Sequence, residues 1–305
     1  MRITEGSGDN IGSMTLVRFP NQQMRRVVLI AVLLFGCAVV YGLVLFRFDV
    51  SEKPEEREFG VSANAARIEL YLQPIAIDPV NESMNVRVSV LPARSAGNTP
   101  ATVADRDLVL MIHHGTSTER LLVHANQPFP EATFAFDLND GSVRDYPLDS
   151  YYSEVHLVGF EVGHEGADAA LPAHVTSWEG VLGYSVRARE LAVPHAGEVQ
   201  LRFTVNRVGA IEFFGLAVYG GMIVLALCAL IIGSLVFVGI RRIEVTLVGA
   251  LGAIVFALPA MRNALPGAPP IGVRADVLVF FWAELGAVIA LCLFIAAWVR
   301  RGTPP

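Results

Sequence analysis

The chain has 305 residues, 53% of them hydrophobic, with a formal net charge of −6 and a mean hydropathy of +0.49. That balance is too apolar for an ordinary soluble protein of this length and directs the search to membrane spans. It also excludes nucleic acid as a partner, because phosphates need a basic face and this chain offers an acidic one.

Residues 1–26 contain Arg2, Arg18, Arg25 and Arg26 and read as a cytoplasmic tail. Residues 27–46 ("VVLIAVLLFGCAVVYGLVLF") follow without a charge, 20 residues long, which is the length a helix needs to cross a bilayer. The "LFGC" at 34–37 resembles a lipoprotein cleavage box, yet Phe35 is bulky where a small residue is usual. Cleavable signal peptides have apolar cores of about 7–15 residues, so residues 27–46 are expected to be an uncleaved first transmembrane helix.

Residues 47–211 hold 23 of the 29 acids but 13 of the 23 basic residues, a net of −10. The stretch 47–60 is charged and turn-rich and reads as a tether. Period-two alternation then begins, with "ARIELYL" placing Ile68, Leu70 and Leu72 on one face and "MNVRVSV" doing the same with Met84, Val86, Val88 and Val90. "DLVLMIHHG", "ERLLVHA", "ATFAFDL", "YYSEVHLVGFEV", "VLGYSVRARELAV" and "EVQLRFTV" complete eight expected strands between Pro, Gly and Asn turns. One apolar and one polar face per strand predicts an antiparallel β-sandwich. Cys37, Cys228 and Cys292 all fall in apolar spans, so this domain is expected to stand without a disulfide.

All seven histidines, from His113 to His195, lie in the sandwich. None forms a tight ligand spacing with a third donor, so no metal and no cofactor is expected. The chain has no GxSxG, no HExxH and no phosphate-cradling glycine loop. A non-enzymatic role is expected on that ground.

Three further spans are expected at 212–240, 245–261 and 277–299, joined by a cytoplasmic loop at 241–244 and an external Pro-rich loop at 262–276, with a tail at 300–305. Arg241, Arg242, Arg300 and Arg301 add to the arginines of the first tail on one side. The positive-inside bias therefore places both termini in the cytoplasm and the sandwich outside. Gly and Ala recur in "VTLVGALGAIVFALPAM", which predicts close helix approach there. Glu284 lies seven positions into the last span, roughly 10 Å below its outer end at 1.5 Å per residue. An ionisable group at that depth is costly unless paired or wetted. Two readings stay open, an ion or proton site and a bundle contact to Arg262.

The stretch "RDYPLDSYY" holds Tyr146, Pro147, Asp149 and Tyr151 just before an apolar strand. Together with "LPGAPPIGVRAD" and "FFWAEL" it resembles the uncharacterised bacterial four-span membrane proteins of domain-of-unknown-function family 4436, along almost the whole chain. That family's Tyr-Pro-Phe-Asp-Arg-Tyr pattern is met here with Leu148 for Phe and Ser150 for Arg. More partially, Pro147-Leu148-Asp149 is similar to the Phe-Pro-Phe-Asp loop of pentameric ligand-gated channels. The resemblance implies that Asp149 contacts a basic residue at the membrane end of the sandwich, Arg207 being just before the second span. The flanking cysteines of the channel loop are absent.

The expected fold is thus a membrane protein, α plus β, with an extracytoplasmic antiparallel β-sandwich and a four-helix transmembrane bundle, one span before the sandwich and three after. Tyr146, Pro147, Asp149, Tyr151 and Arg207 are expected to form the sandwich–membrane joint. The expected location is the plasma membrane, and the expected role is binding, sensing or assembly in the cell envelope. A permuted channel-like subunit is the alternative, and an envelope enzyme comes third. The expected partners are the lipid bilayer and either further copies of the chain or another envelope protein.

Overall fold

The computed structural model describes residues 55–62, 67–92, 103–162, 170–192 and 197–301, and part of 24–42. Each described position between 24 and 42 is helical. This leading helix belongs to a unit of its own, separate from residues 47–305. The remainder of the expected first tail and first span lies outside the described residues.

Eleven strands and three long helices follow among the described residues. The first sheet has the order β1-β8-β2-β3-β6, with β1 Glu56–Gly60, β2 Ile68–Asp78, β3 Ser83–Leu91, β6 Glu131–Asp137 and β8 Ala173–Trp178. The second has the order β5-β4-β7-β11-β10-β9, with β4 Leu108–His114, β5 Ser117–Val123, β7 Ser150–Glu161, β9 Gly180–Val181, β10 Tyr184–Leu191 and β11 Glu198–Arg207. The alternation in β2, β3 and β11 does what period two requires: Leu70, Leu72, Met84, Val86, Val88, Leu201, Phe203 and Val205 are all buried in one core between the sheets.

Eight strands were expected and eleven are present among the described residues. The segment 47–60 is not wholly a tether, because Glu56–Gly60 pairs with β8 in register from Glu56↔Trp178 to Gly60↔His174. The first sheet is also not purely antiparallel, since β2 and β8 run parallel from Ile68↔Ala173 to Leu72↔Ser177.

The helices are α1 Gly209–Val238, α2 Thr246–Asn263 and α3 Phe281–Arg301, the last entered through a π-helical turn at Asp276–Phe280. All three are long and apolar enough to cross a bilayer. α1 and α3 make the tight pair. Met222, Ala226, Ala229 and Gly233 bury against Ala283, Ala287, Ala290 and Phe294, a seam of small residues three and four apart. A Cβ at Gly233 would lie 2.6 Å from the carbonyl oxygen of Ala290. The close approach expected in α2 is therefore found between α1 and α3. At Gly249 and Gly252 of α2 a Cβ would meet nothing within 4 Å among the described residues.

At its C-terminus α1 ends on Gly239, whose φ of 89° is left-handed and whose N–H donates back to Leu235 and Val236 carbonyls. Arg301, at the end of α3, donates from Nη1 to Val236 O at 3.3 Å and from Nη2 to Phe237 O at 2.5 Å. A cation on those orphan carbonyls complements the negative end of the helix dipole.

Candidate functional site

The joint between sandwich and helices starts from a short turn. Ser142 is extended and its Oγ accepts from Arg144 N at 3.2 Å, which opens a 3₁₀ turn over Val143–Asp145. Leu148 N then donates to Asp145 O at 2.9 Å, and β7 begins at Ser150. In the β7–β11 ladder Ser150 faces Asn206. Continuing that ladder by one pair sets Asp149 beside Arg207, and Arg207 Nε donates to Asp149 Oδ1 at 2.6 Å.

Both side chains are sealed, with relative exposures of 2% for Arg207 and 0% for Asp149. Tyr151 Oη donates to the other carboxylate oxygen, Asp149 Oδ2, at 3.0 Å. The Arg207 guanidinium lies 4.7 Å from the ring centroid of Tyr146 and 5.2 Å from that of Tyr184, within cation–π range. Burial alone would lower the Arg207 pKa, but Asp149 outweighs it and holds the guanidinium above its usual range. Burial pushes Tyr146 up to about 12. Burial, reinforced by the Asp149 charge, raises Tyr151 as well.

Tyr146 carries the joint into the helices. Its ring is part of the apolar cluster of Tyr219, Met222, Ala226, Leu258 and Leu265, and its Oη donates to Pro266 O at 3.1 Å. Two glycines admit the contact. A Cβ at Gly215 of α1 would sit 3.0 Å from Pro147, and one at Gly267, where φ is +76°, would sit 2.9 Å from Arg207 Nη1. On the surface Arg274 Nη1 reaches Asp145 Oδ1 at 2.9 Å. The sandwich thus meets both α1 and the α2–α3 loop.

A second buried network lies in that loop. Arg262 is in the last turn of α2 and donates from Nη2 to Asp276 Oδ2 at 2.8 Å and from Nε to Oδ1 at 3.2 Å. Tyr219 Oη donates to Asp276 Oδ1 at 2.8 Å, and Gly272 N to Oδ2 at 3.0 Å. The carbonyls of Pro269 and Pro270 accept from Arg262 Nη2 at 2.9 and 2.8 Å. Of the two readings left open for Glu284, the contact to Arg262 is not formed, because Arg262 pairs with Asp276 instead. Glu284 lies eight residues further along, roughly 12 Å down the helix at 1.5 Å per residue.

Glu284 Oε2 is buried and finds no hydrogen-bond partner among the described residues. An unpartnered polar atom of this kind costs stability. Glu284→Met is expected to raise the melting temperature of the protein in nanodiscs. A fall would show that the carboxyl has a partner which the substitution removes.

The outer face of the second sheet holds a polar groove of 340 Å³ lined by His113, Asn139, Tyr152, Glu154, His156 and Gln200. His113 and His156 face each other across β4 and β7 with ring centroids 5.7 Å apart. His113 bonds Thr118 Oγ1 at 2.8 Å and His156 bonds Glu198 Oε2 at 3.0 Å. Burial lowers the His113 pKa and His156 adds to that, against the opposite pull of Glu198. The unfolded chain then binds the proton more readily, so stability is full above the ordinary histidine pKa of about 6.5 and is lost as pH falls below it. His113→Asn is expected to flatten the pH dependence of the melting temperature in that window. Among the described residues no group of three His, Cys, Asp or Glu is placed to hold a metal ion.

The sequence reasoning singled out Tyr146, Pro147, Asp149, Tyr151 and Arg207, and all five meet at this joint. It missed Tyr184, Tyr219, Asp276, Gly215 and Gly267. The last two show themselves only through what a side chain there would strike.

The strand domain matches a family model. Residues 58–205 match the family described as Domain of unknown function (DUF4436). Residues 207–301 match a second model, Domain of unknown function (DUF8686). The resemblance to family 4436 thus holds for the strands, while the helices match a model of their own, and the two matches meet at the Arg207 joint. No curated protein matches the chain.

Proposed function

We propose that this chain is a four-span plasma-membrane protein with both termini in the cytoplasm, whose external sandwich is a non-enzymatic binding, sensing or assembly module. The observation that carries the reading is the joint itself. A sealed Arg207–Asp149 pair, with Tyr146 seated among helix side chains, ties the sandwich to the ends of three apolar helices. A module held so firmly presents its surface in a fixed orientation and transmits load to the helices. The pair is not a reacting centre, because Asp149 has no surface through which a substrate in solution could reach it.

The native mass of the purified protein in nanodiscs tests the reading. A monomer or dimer leaves no pore between subunits and supports a binding or assembly role. A closed ring of several copies would overturn it in favour of a channel-like subunit.

A further inference from the structure

We propose that the helix-facing end of the sandwich is a lipid-contacting surface, seated in the headgroup layer through Leu148, Leu182 and Ile271. The inference rests on reading the three helices as membrane spans, and it adds that the strand domain itself enters the bilayer interface.

The three aliphatic side chains stand on three different loops. Leu182 is at the tip of the β9–β10 turn and is 100% exposed, Ile271 is in the α2–α3 loop at 75%, and Leu148 precedes β7 at 60%. A neighbour of each ties it to the outer ends of the helices. Gly183 O accepts from Val208 N at 3.2 Å, directly before α1, and a Cβ on Gly183 would lie 3.0 Å from Ile211. Pro147 abuts Gly215 in the second turn of α1. Gly272 donates to Asp276, where α3 is entered. Asp276 in turn accepts from Tyr219 of α1, so the three tips lie beside the first three turns of that helix.

Phe213 and Phe214, within the first two turns of α1, are exposed as well, at 37% and 48%. Single exposed apolar residues are ordinary on a protein surface, but several on separate loops around the end of a spanning helix are not scattered. Arg144 and Arg274 are exposed beside them, Arg274 keeping 71% side-chain exposure while it pairs with Asp145. Arginine next to aliphatic side chains suits the phosphate layer, where the stem lies along apolar surface and the guanidinium meets phosphate. Asp145 and Glu212 also lie at this end, yet in a strongly acidic domain Arg144 and Arg274 remain exposed here, where phosphate can meet them.

The test uses the full chain with Cys37, Cys228 and Cys292 changed to serine and one cysteine introduced for an environment-sensitive fluorophore. Leu182→Cys is compared with Val162→Cys, which is 53% exposed at the far end of β7 and roughly 40 Å from Asp149 at about 3.3 Å per strand residue. Phe256→Cys, 80% exposed on α2, reports on membrane insertion itself. All are reconstituted in phosphatidylcholine–phosphatidylglycerol nanodiscs with and without spin-labelled lipid quenchers, labelled near the headgroup for positions 162 and 182 and in mid-chain for position 256, and each must melt at the parent temperature.

The expected result is blue-shifted, lipid-quenched emission at 182 and water-like, unquenched emission at 162. Quenching at 256 but not at 182 would overturn the inference and leave the membrane reading standing. Blue-shifted emission at 182 that the lipid does not quench would also overturn it, by showing a protein cover such as a second copy. No quenching at 256 would overturn the membrane reading and this inference with it.

Discussion

Replacing Asp149 with alanine is expected to cost the folded protein on the order of 3–5 kcal/mol, because it leaves the Arg207 guanidinium buried without its counter-charge. The rings of Tyr146 and Tyr184 remain beside Arg207, and a cation over an aromatic face is worth about 1–2 kcal/mol, less than the lost counter-charge. The asymmetry is the useful part of the prediction. Removing both charges together, as in Asp149→Leu with Arg207→Met, is expected to restore most of the loss, since a buried ion pair often does no better than an apolar pair of the same volume. Thermal melts followed on the strand signal check this. If the double variant is as unstable as Asp149→Ala, the pair contributes more than mutual neutralisation. Tyr151→Phe is the smaller companion change, expected to cost about 1–3 kcal/mol by stripping Asp149 Oδ2 of its donor.

Gly233→Leu is expected to break the packing of α1 on α3. Even a methyl at this position would meet the Ala290 carbonyl oxygen at 2.6 Å and its Cα at 3.0 Å. Helix backbone cannot yield as a side chain can, so the helices must separate. Overpacking of a well-packed site costs about 1–3 kcal/mol, and a leucine exceeds the upper end. Gly249→Leu and Gly252→Leu are the controls, because a Cβ at either position meets nothing within 4 Å among the described residues. A helix seam that mattered equally at all three glycines would give three equal losses. The account expects one large loss and two small ones.

The sandwich core was legible because alternation is local. Ile68, Leu70 and Leu72 need no knowledge of their partners to declare an inward face. β1 escaped notice because Glu56–Gly60 is an edge strand with Phe59 as its one large apolar residue, so it reads as a charged tether. The parallel β2–β8 pairing depends on two segments about a hundred residues apart, and nothing local encodes that choice. The same limit separates the two arginines. Arg207 stood next to a span and Asp149 at a strand start, so a motif resemblance could join them. Arg262 needed the bounds of two helices. Once α2 runs to Asn263 and the π turn begins at Asp276, both side chains lie at the same end of the two helices and meet, leaving Glu284 two turns further along.

The Val143–Asp149 turn of the sandwich touches the α2–α3 loop, and we propose that it does so on the outer face of the membrane. One measurement addresses both parts. Cysteines at positions 145 and 274, where side chains meet at 2.9 Å, are introduced into the chain freed of its own cysteines. Intact cells are then treated with a short, membrane-impermeant thiol crosslinker, and linked peptides are read by mass spectrometry. An intramolecular 145–274 link formed from the outside of the cell is expected. Labelling of each single cysteine without a link in the pair would contradict the joint, and reaction seen only after the membrane is opened would contradict the orientation.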